Sequence, residues 1–309
     1  MTCLRRPAAG VRRRSRLAVL ALVLVVAAFV MPDASVRQTP AMLVKVDTAS
    51  AVDHGGKDTL WILALGSDAR PGEAPLHTRS DAIQLVGLNY KTGTAADVGI
   101  PRDSWVDIPG HGFNRINAAM EYGGPQLAAD TVANLVGVHA DYVFVTTFTG
   151  FKALIQSIGG VTVWSPYAFH DDNMVGSVRR GWNKLNGFQA LFFGRARHLL
   201  PRGDFDRSAH QQELLRAILR KVRAQQNQPG FIERGVLSAT RNLYTDLSPV
   251  ELYRLAQAAT QIDPTRFKGC VVNGTIGDVN GASIVFPDVA QARRIGDDVR
   301  SDARLDHGC

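Results

Sequence analysis

The chain has 309 residues, 45% of them hydrophobic and 20% charged. That is enough apolar material for one sizeable core, two at most, and it excludes a disordered chain. The formal net charge is +7, but Arg5, Arg6, Arg12, Arg13, Arg14 and Arg16 supply six of these charges with no acid before Asp33; the remainder is close to neutral, which argues against a basic nucleic-acid-binding face.

Behind this basic tail (1–16), residues 17–31 read LAVLALVLVVAAFVM, without a charged or polar group. As a helix the run would be about 22 Å long at about 1.5 Å per residue, shorter than the about 20 residues of an ordinary span, although flanking residues could extend it. A cleaved signal peptide has an apolar core of the same length. Pro32-Asp33-Ala34 puts proline at the disfavoured position of a cleavage site, so an uncleaved transmembrane anchor is favoured. In both cases the arginines stay in the cytosol and the rest of the chain lies outside the cell membrane. Residues 32–58 lack periodicity and read as an extracytoplasmic linker; the globular pattern occupies 59–309. Cys270 and Cys309 then face an oxidising space and are candidates for a disulfide, while Cys3 is cytosolic. Whether the pair forms is left open, because Cys309 is the last residue. No cysteine spacing suits a metal.

The first strand is expected at 60–65 (LWILAL), a short continuous apolar run ending at Gly66. Strands follow at 82–88 and 96–100, the latter stopped by Pro101. A helix begins near Pro125, shows Leu127, Val132 and Leu135 on one face and ends at Gly137. A strand at 142–146 precedes a helix capped by Thr149 and carrying Phe151, Leu154, Ile155 and Ile158. After Gly159-Gly160 comes a strand at 161–164. Residues 187–193 look helical, and Gly194 is expected to break that helix. A long helix at 207–223 presents Leu214, Leu215, Ile218, Leu219 and Val222 on its apolar side. Ser248-Pro249-Val250-Glu251 is a capping box opening a helix to about 261. A late strand at 270–272 and a last helix at 287–299 complete the pattern. Strands alternating with helices of this length give an α/β fold, a sheet covered by helices on both faces. Trp61, Trp105, Trp164 and Trp182 are expected in the core or in a cleft wall.

Four polar clusters sit at strand ends or helix starts, where open α/β sheets carry their sites. They are Gly66-Ser67-Asp68-Ala69-Arg70, Arg79-Ser80-Asp81, Pro101-Arg102-Asp103, and RARHLLPRGDFDR at 195–207. One Arg/Asp pair alone is usually a surface ion pair worth under about 1 kcal/mol. Several that converge imply a polyanion held by arginines and a hard cation held by aspartates, because a guanidinium fork binds two phosphate oxygens and Mg²⁺ takes one or two carboxylates plus phosphate oxygens. With Gly194 breaking the helix, Arg195 and Arg197 would share one face of an extended segment. Arg207 and Gln211, four apart, would share a face at a helix start, where free N–H groups attract phosphate. His170-Asp171-Asp172 reads better as a solvated loop than as a metal site. His198, beside the fourth cluster, fits a phosphate contact no better than a hydrogen bond to a backbone carbonyl. No P-loop, dinucleotide fingerprint or nucleophile elbow occurs.

The ordered motifs GSDAR, RSD, IPRDSWVDIPG, RINAAMEYGGP, LNGFQALFFGRARH, GDFDR and HQQ closely resemble those of the LytR-CpsA-Psr family of membrane-anchored cell-envelope proteins. The resemblance implies a three-layer α–β–α sandwich with a central mixed sheet, preceded by one transmembrane helix, with an apolar tunnel for a prenyl chain. It implies a phosphotransferase that moves a glycopolymer from a polyprenyl diphosphate carrier to peptidoglycan, releasing polyprenyl phosphate. Matched residue by residue, Asp68 and Asp81 are the expected ligands of Mg²⁺ or Mn²⁺. Arg79, Arg102, Arg195, Arg197, Arg207 and Gln211 are the expected diphosphate-binding set, with Arg102, Arg195 and Arg207 catalytic. Ala69 stands where the family commonly has Ser or Thr. The general base is left open among Asp103, Asp204 and Asp206. The expected partners are the lipid-linked polymer, peptidoglycan and the membrane, with no nucleic acid. The excess of 28 Arg over 7 Lys suits a high-GC genome and so an arabinogalactan-type polymer, with teichoic acid or capsule still open. A polyprenyl diphosphate pyrophosphatase and a non-catalytic lipid-binding module are the alternatives.

Overall fold

The computed structural model describes residues 58–172 and 176–309. The basic tail, the expected anchor at 17–31 and the linker to residue 57 lie outside them. Among the described residues no helix is long and apolar enough to cross a membrane.

The central sheet is built from β1 (Thr59–Ser67), β2 (Ser80–Asn89), β3 (Thr94–Gly99), β6 (Tyr142–Thr147) and β11 (Phe267–Val271), in the order β11-β3-β2-β1-β6. Neighbours β1/β2 and β2/β3 are antiparallel, β1/β6 and β3/β11 parallel, so the sheet is mixed. Its strands are mainly apolar because both faces are covered, with Gln84 and Asp97 as buried polar exceptions. On one face Leu63, Leu65, Leu85 and Val98 pack with Val132 and Leu135 of α1 (Ala118–Val136) and with Ile295 and Val299 of α7 (Val289–Val299). On the other, Leu60, Ile62, Val86 and Leu88 pack with Val236 of α5 (Phe231–Asn242) and with Leu252 and Leu255 of α6 (Pro249–Ala259). A third cluster joins the ladder β7 (Val161–Ser165)/β10 (Gly181–Leu185) to α2 (Phe148–Ser157), α3 (Gly187–Arg195) and α4 (Asp204–Gln225), around Ile155, Val163, Phe193 and Leu214.

Local signals account for several boundaries. The Ser248–Glu251 capping box forms both of its hydrogen bonds, and a second, Asn186–Gln189, opens α3. Helix α1 starts seven residues before Pro125, kinks at Gly123-Gly124, where Gly124 has φ 68°, and resumes at Pro125; the proline lacks the N–H that the kink would orphan. Gly137, at φ 86°, closes it with an N–H bond to Ala133 O. Thr147, rather than Thr149, caps α2.

The short hairpins β4 (Trp105–Ile108)/β5 (Gly112–Arg115), β8 (Phe169–Asp171)/β9 (Gly176–Val178) and β12 (Gly274–Val279)/β13 (Ala282–Pro287) have no counterpart among the expected elements. Nor has α5, whose apolar stripe is interrupted by Gly235. Trp61 is buried as expected, but Trp164 and Trp182 are 44% and 59% exposed. They are cross-strand partners on the solvent face of β7/β10, where the ladder buries its other face. Cys270 and Cys309 are joined by a disulfide.

Candidate active site

The antiparallel β1/β2 pair brings the first two acids together. Ser67 lies opposite Ser80, with the register slipping after Gly66, and the Asp68 N–H donates to Arg79 O at 3.1 Å. Burial, then the neighbouring charge of Asp81, push the Asp68 carboxyl above its usual range, against the pull of Arg102 and Arg70. Next along the sheet, the Ile100 N–H bonds Ile83 O at 3.0 Å, which carries the chain past the end of β3 to Arg102 and Asp103.

Arg102 ion-pairs with Asp81 and reaches Asp103 at 3.7 Å. Burial works against its positive charge, but Asp81, Asp103 and Asp204 outweigh burial and raise its pKa. Asp103 also accepts from Arg197 at 2.9 Å and lies 3.8 Å from Arg115. Arg195 approaches Asp81 at 3.9 Å and lies over the Phe148 ring, 4.3 Å from its centroid. The Gln211 amide donates to Asp81 O at 3.3 Å and to Gly194 O at 3.1 Å. Its own oxygen accepts from Gln84 at 3.0 Å. Arg207, 6% exposed, ion-pairs with Asp204; burial lowers its pKa and raises that of Asp204.

Arg102, Arg195, Arg197, Arg207, Gln211, Asp81 and Asp68 therefore belong to one connected electrostatic cluster. Arg79 turns aside: its Nε donates to Glu121 at 2.9 Å in the kinked first turns of α1, while Asp68 still acts on it through space. Gly194 does not break α3. It lies inside the helix, where a Cβ would meet Leu214 Cδ1 at 2.9 Å, so glycine permits the close approach of α3 and α4. Arg195 is thus the last residue of a helix and Ala196 extended, and the two arginines separate, one to Asp81 and the other to Asp103. Of the weaker candidates, His170 pairs with Asp172 at the surface, and His198 lies 3.3 Å from the Arg197 guanidinium.

Sequence reasoning passed over Arg115, in the RINAAMEYGGP motif, and the bracing of arginines by Asp103 and Asp204. Buried guanidiniums are costly unless paired. Even so, Arg102 Nε, Asp103 Oδ1 and both Asp204 carboxylate oxygens are buried without a well-formed hydrogen bond. Ion pairs hold the cluster together, yet its hydrogen-bonding capacity is not used up.

Beside the cluster lies an apolar cavity of about 410 Å³ between the sheet and α2, α3, α4, α5 and α6, within the about 300–1,000 Å³ usual for small-molecule sites. Leu154, Ile155, Leu215, Ile218, Ile232 and Leu255 line it, and Asp81, Gly194, Arg195 and Gln211 also form part of its wall. Helix α4 supplies both regions: Arg207 and Gln211 in its first two turns, Leu214, Leu215, Ile218 and Val222 after them.

An apolar cavity whose wall includes Arg195 and Asp81 of the charged cluster has the polarity pattern that suits an amphiphile with an anionic head. The comparisons agree with that class. The chain belongs to the LytR_cpsA_psr family, whose description matches residues 28–300. It is 36% identical over 166 residues to the polyisoprenyl-teichoic acid–peptidoglycan teichoic acid transferase TagU of Bacillus subtilis (strain 168), covering 53% of each chain. To TagU of Bacillus anthracis it is 31% identical over 214 residues, 69% of this chain and 66% of the relative. The chain thus spans about half to two thirds of the length of these relatives. Among solved structures it resembles TagV of B. subtilis (TM-score 0.70, 26% identity, 80% of this chain and 98% of that one). It also resembles TagT bound to LI-WTA (TM-score 0.67, 26% identity, 84% and 99%).

Proposed function

We propose that the protein is a phosphotransferase that attaches a polyprenyl-diphosphate-linked glycopolymer to peptidoglycan and releases polyprenyl phosphate. The observation that carries this reading is the continuity of the apolar cavity with the Arg102–Arg195–Arg207 cluster: one region suits a prenyl chain, the other a diphosphate. In this reading the domain is the family's α–β–α sandwich, held at the outer face of the cell membrane by the anchor at 17–31. The relatives' names point to teichoic acid; the arginine-rich composition favours an arabinogalactan-type polymer.

The acceptor hydroxyl attacks the phosphorus nearest the sugar. A new phosphorus–oxygen bond forms, the bond to the bridging oxygen breaks, and polyprenyl phosphate leaves with that oxygen. Such transfers need positioning and charge stabilisation rather than a protein nucleophile. Arg102, Arg195 and Arg207 supply fixed positive charge, and Arg197 and Gln211 orient the head group. Asp206 accepts from the N–H and the Nε of Arg202, and Asp103 is held by Arg197. Asp204 is ion-paired with Arg207 and burial raises its pKa; Asp103, Asp204 and Asp206 all remain candidates to take the hydroxyl proton.

Among the described residues no group of three or more His, Cys, Asp or Glu gathers to hold a metal. The Asp68/Asp81 pair fits Mg²⁺ or Mn²⁺ in the mode that takes two carboxylates and completes its shell with phosphate oxygens and water. A cation there would neutralise charge on the diphosphate.

The test is purified full-length protein with geranylgeranyl diphosphate and with a glycan-bearing polyprenyl diphosphate, with and without peptidoglycan. Phosphate-linked glycan on the peptidoglycan is the expected product. Release of inorganic phosphate unaffected by peptidoglycan would make it a pyrophosphatase, and binding without turnover a lipid-binding module.

A further inference from the structure

Resting on that reading, we propose that Gln84 is a positioning residue for the transfer: from the face of the sheet it sets the place of Gln211 and of the helix start that carries Arg207. Gln84 shares a face of β2 with Val86 and Leu88, which pack in the apolar cluster under α5 and α6. At 2% exposed it is more deeply buried than either. An amide in such a place costs free energy unless its hydrogen bonds are made, and the carbonyl oxygen of Gln84 has no partner. An apolar side chain would fill the same space without that cost, so the residue is explained by what its N–H groups do.

A glutamine amide has two N–H donors and an oxygen that accepts. The nitrogen of Gln84 lies 3.0 Å from Gln211 Oε1 and 3.1 Å from Ser208 Oγ, so β2 is tied to the first two turns of α4 at two points. The bond to Gln211 settles which way that second amide faces. With its oxygen on Gln84, its nitrogen donates to Asp81 O and Gly194 O. Asp81 pairs with Arg102, and Gly194 immediately precedes Arg195. Gln211 thus joins the strand of Asp81, the end of α3 and the helix of Arg207, and Gln84 holds Gln211. Gln212 repeats the arrangement further along the sheet, donating to Asp97 O and Cys270 O, each at 3.0 Å. Gly99, opposite Gln84 in the β2/β3 register, leaves the room for it: a Cβ there would stand 2.5 Å from Ser208 Oγ. Arg207 immediately precedes Ser208, so a shift of this helix start moves the guanidinium. A displacement of about 1 Å can cost up to about 10²-fold in rate. Gln84 acts through Gln211 and Ser208, not on the diphosphate itself.

Gln84 also forms part of the cavity wall, and the experiment separates that role from positioning. Turnover of glycan-bearing polyprenyl diphosphates of fifteen and twenty carbons, with peptidoglycan as acceptor, is measured for the full-length protein, Gln84→Met and Gln84→Glu, beside their melting temperatures. Methionine keeps the length of the side chain and removes the donors. Gln84→Met should lower kcat about tenfold, by one common factor for both tails, with no fall in melting temperature. In Gln84→Glu burial raises the pKa of the new carboxyl. Protonated, it can donate to Gln211 Oε1; ionised, it can only accept and repels that oxygen. Its turnover relative to wild type should therefore recover as pH falls from 8 to 5.5, while the ratio for Gln84→Met stays flat. Wild-type kcat in Gln84→Met, or a loss that grows with tail length, overturns the proposal and leaves Gln84 a piece of cavity wall. Should Gln84→Met not fold, the pH profile of Gln84→Glu decides alone, and a flat ratio overturns the proposal. Absence of transfer by the wild type overturns the phosphotransferase reading instead. The same comparisons, made on dissociation constants for farnesyl and geranylgeranyl diphosphate, then decide the positioning claim.

Discussion

The two ends of α4 obey opposite energetics. Its later turns put Leu214, Leu215 and Ile218 against the cavity; Leu214 is buried and the other two half-buried, and full burial of such a side chain stabilises a fold by about 1.5–3 kcal/mol. Its first turns bury Asp204 and Arg207, whose desolvation mutual attraction repays only in part. The first region is tolerant because apolar packing is non-directional. The second depends on particular partners: Asp81 bears on Arg102 and Arg195, Asp103 on Arg102, Arg115 and Arg197. Substitutions near the cavity should therefore change which tail binds, and substitutions in the cluster should change whether chemistry occurs.

The largest effect is expected from Arg102→Ala. The change leaves Asp81 without its nearest cation, and if Arg102 acts on the transferring phosphorus as proposed, turnover of the lipid diphosphate should fall by a factor of about 10²–10³. A steady-state assay checks this, and a loss below about tenfold would break the contrast.

His210 sharpens the contrast from the stability side. It stacks on Phe193 with ring centroids 4.0 Å apart, and burial lowers its pKa to about 4. A lowered pKa means that the unfolded chain takes up a proton first. The contribution is thus intact above the unfolded pKa near 6.5 and is lost as pH falls towards about 4. The loss should be on the order of 3 kcal/mol. Denaturant melts of wild type and His210→Phe at pH 7.5 and pH 4.5 test this; the wild type should lose more stability than the variant.

Narrowing the cavity should act on the tail alone. Leu215→Trp is expected to weaken geranylgeranyl diphosphate about tenfold while leaving inorganic pyrophosphate affinity unchanged, as calorimetry can show. The smallest effect among the expected diphosphate-binding residues should come from Arg79→Ala. Arg79 pairs with Glu121 at a half-exposed site, and such pairs contribute at most about 1 kcal/mol. Turnover should fall by less than about tenfold; a loss equal to that of Arg102→Ala would mean that Arg79 leaves Glu121 for the substrate.

Much of this contrast was legible in the sequence, for local reasons. The central strands showed as mainly apolar runs, interrupted by Gln84 and Asp97, and the helices as stripes with capping boxes or terminal glycines. Asp68, Asp81 and Arg102 flank strand ends, and neighbouring antiparallel strands necessarily bring such ends together. Position along α4 placed Arg207 and Gln211 on one face. What was not legible depends on long-range packing. The cavity arises where five helices meet the sheet, and no local signal marks it. The pairing of Arg79 with Glu121 depends on the kink at Gly123-Gly124. Gly194 looked like a helix breaker, but its missing Cβ serves the packing of α3 on α4. The outer hairpins are short, and the β7/β10 ladder exposes Trp164 and Trp182, which by residue type alone suggested core or a cleft wall.

The most direct measurement is the affinity of the full-length protein for sugar-free prenyl diphosphates of ten, fifteen and twenty carbons, in the wild type and in Arg207→Ala. If the tail enters the cavity while the cluster holds the head, affinity rises with each added isoprene unit, by up to about 0.8 kcal/mol per buried CH₂. Arg207→Ala should then weaken all three by one common factor. Affinity independent of tail length, or an arginine effect that grows with the tail, would contradict the account.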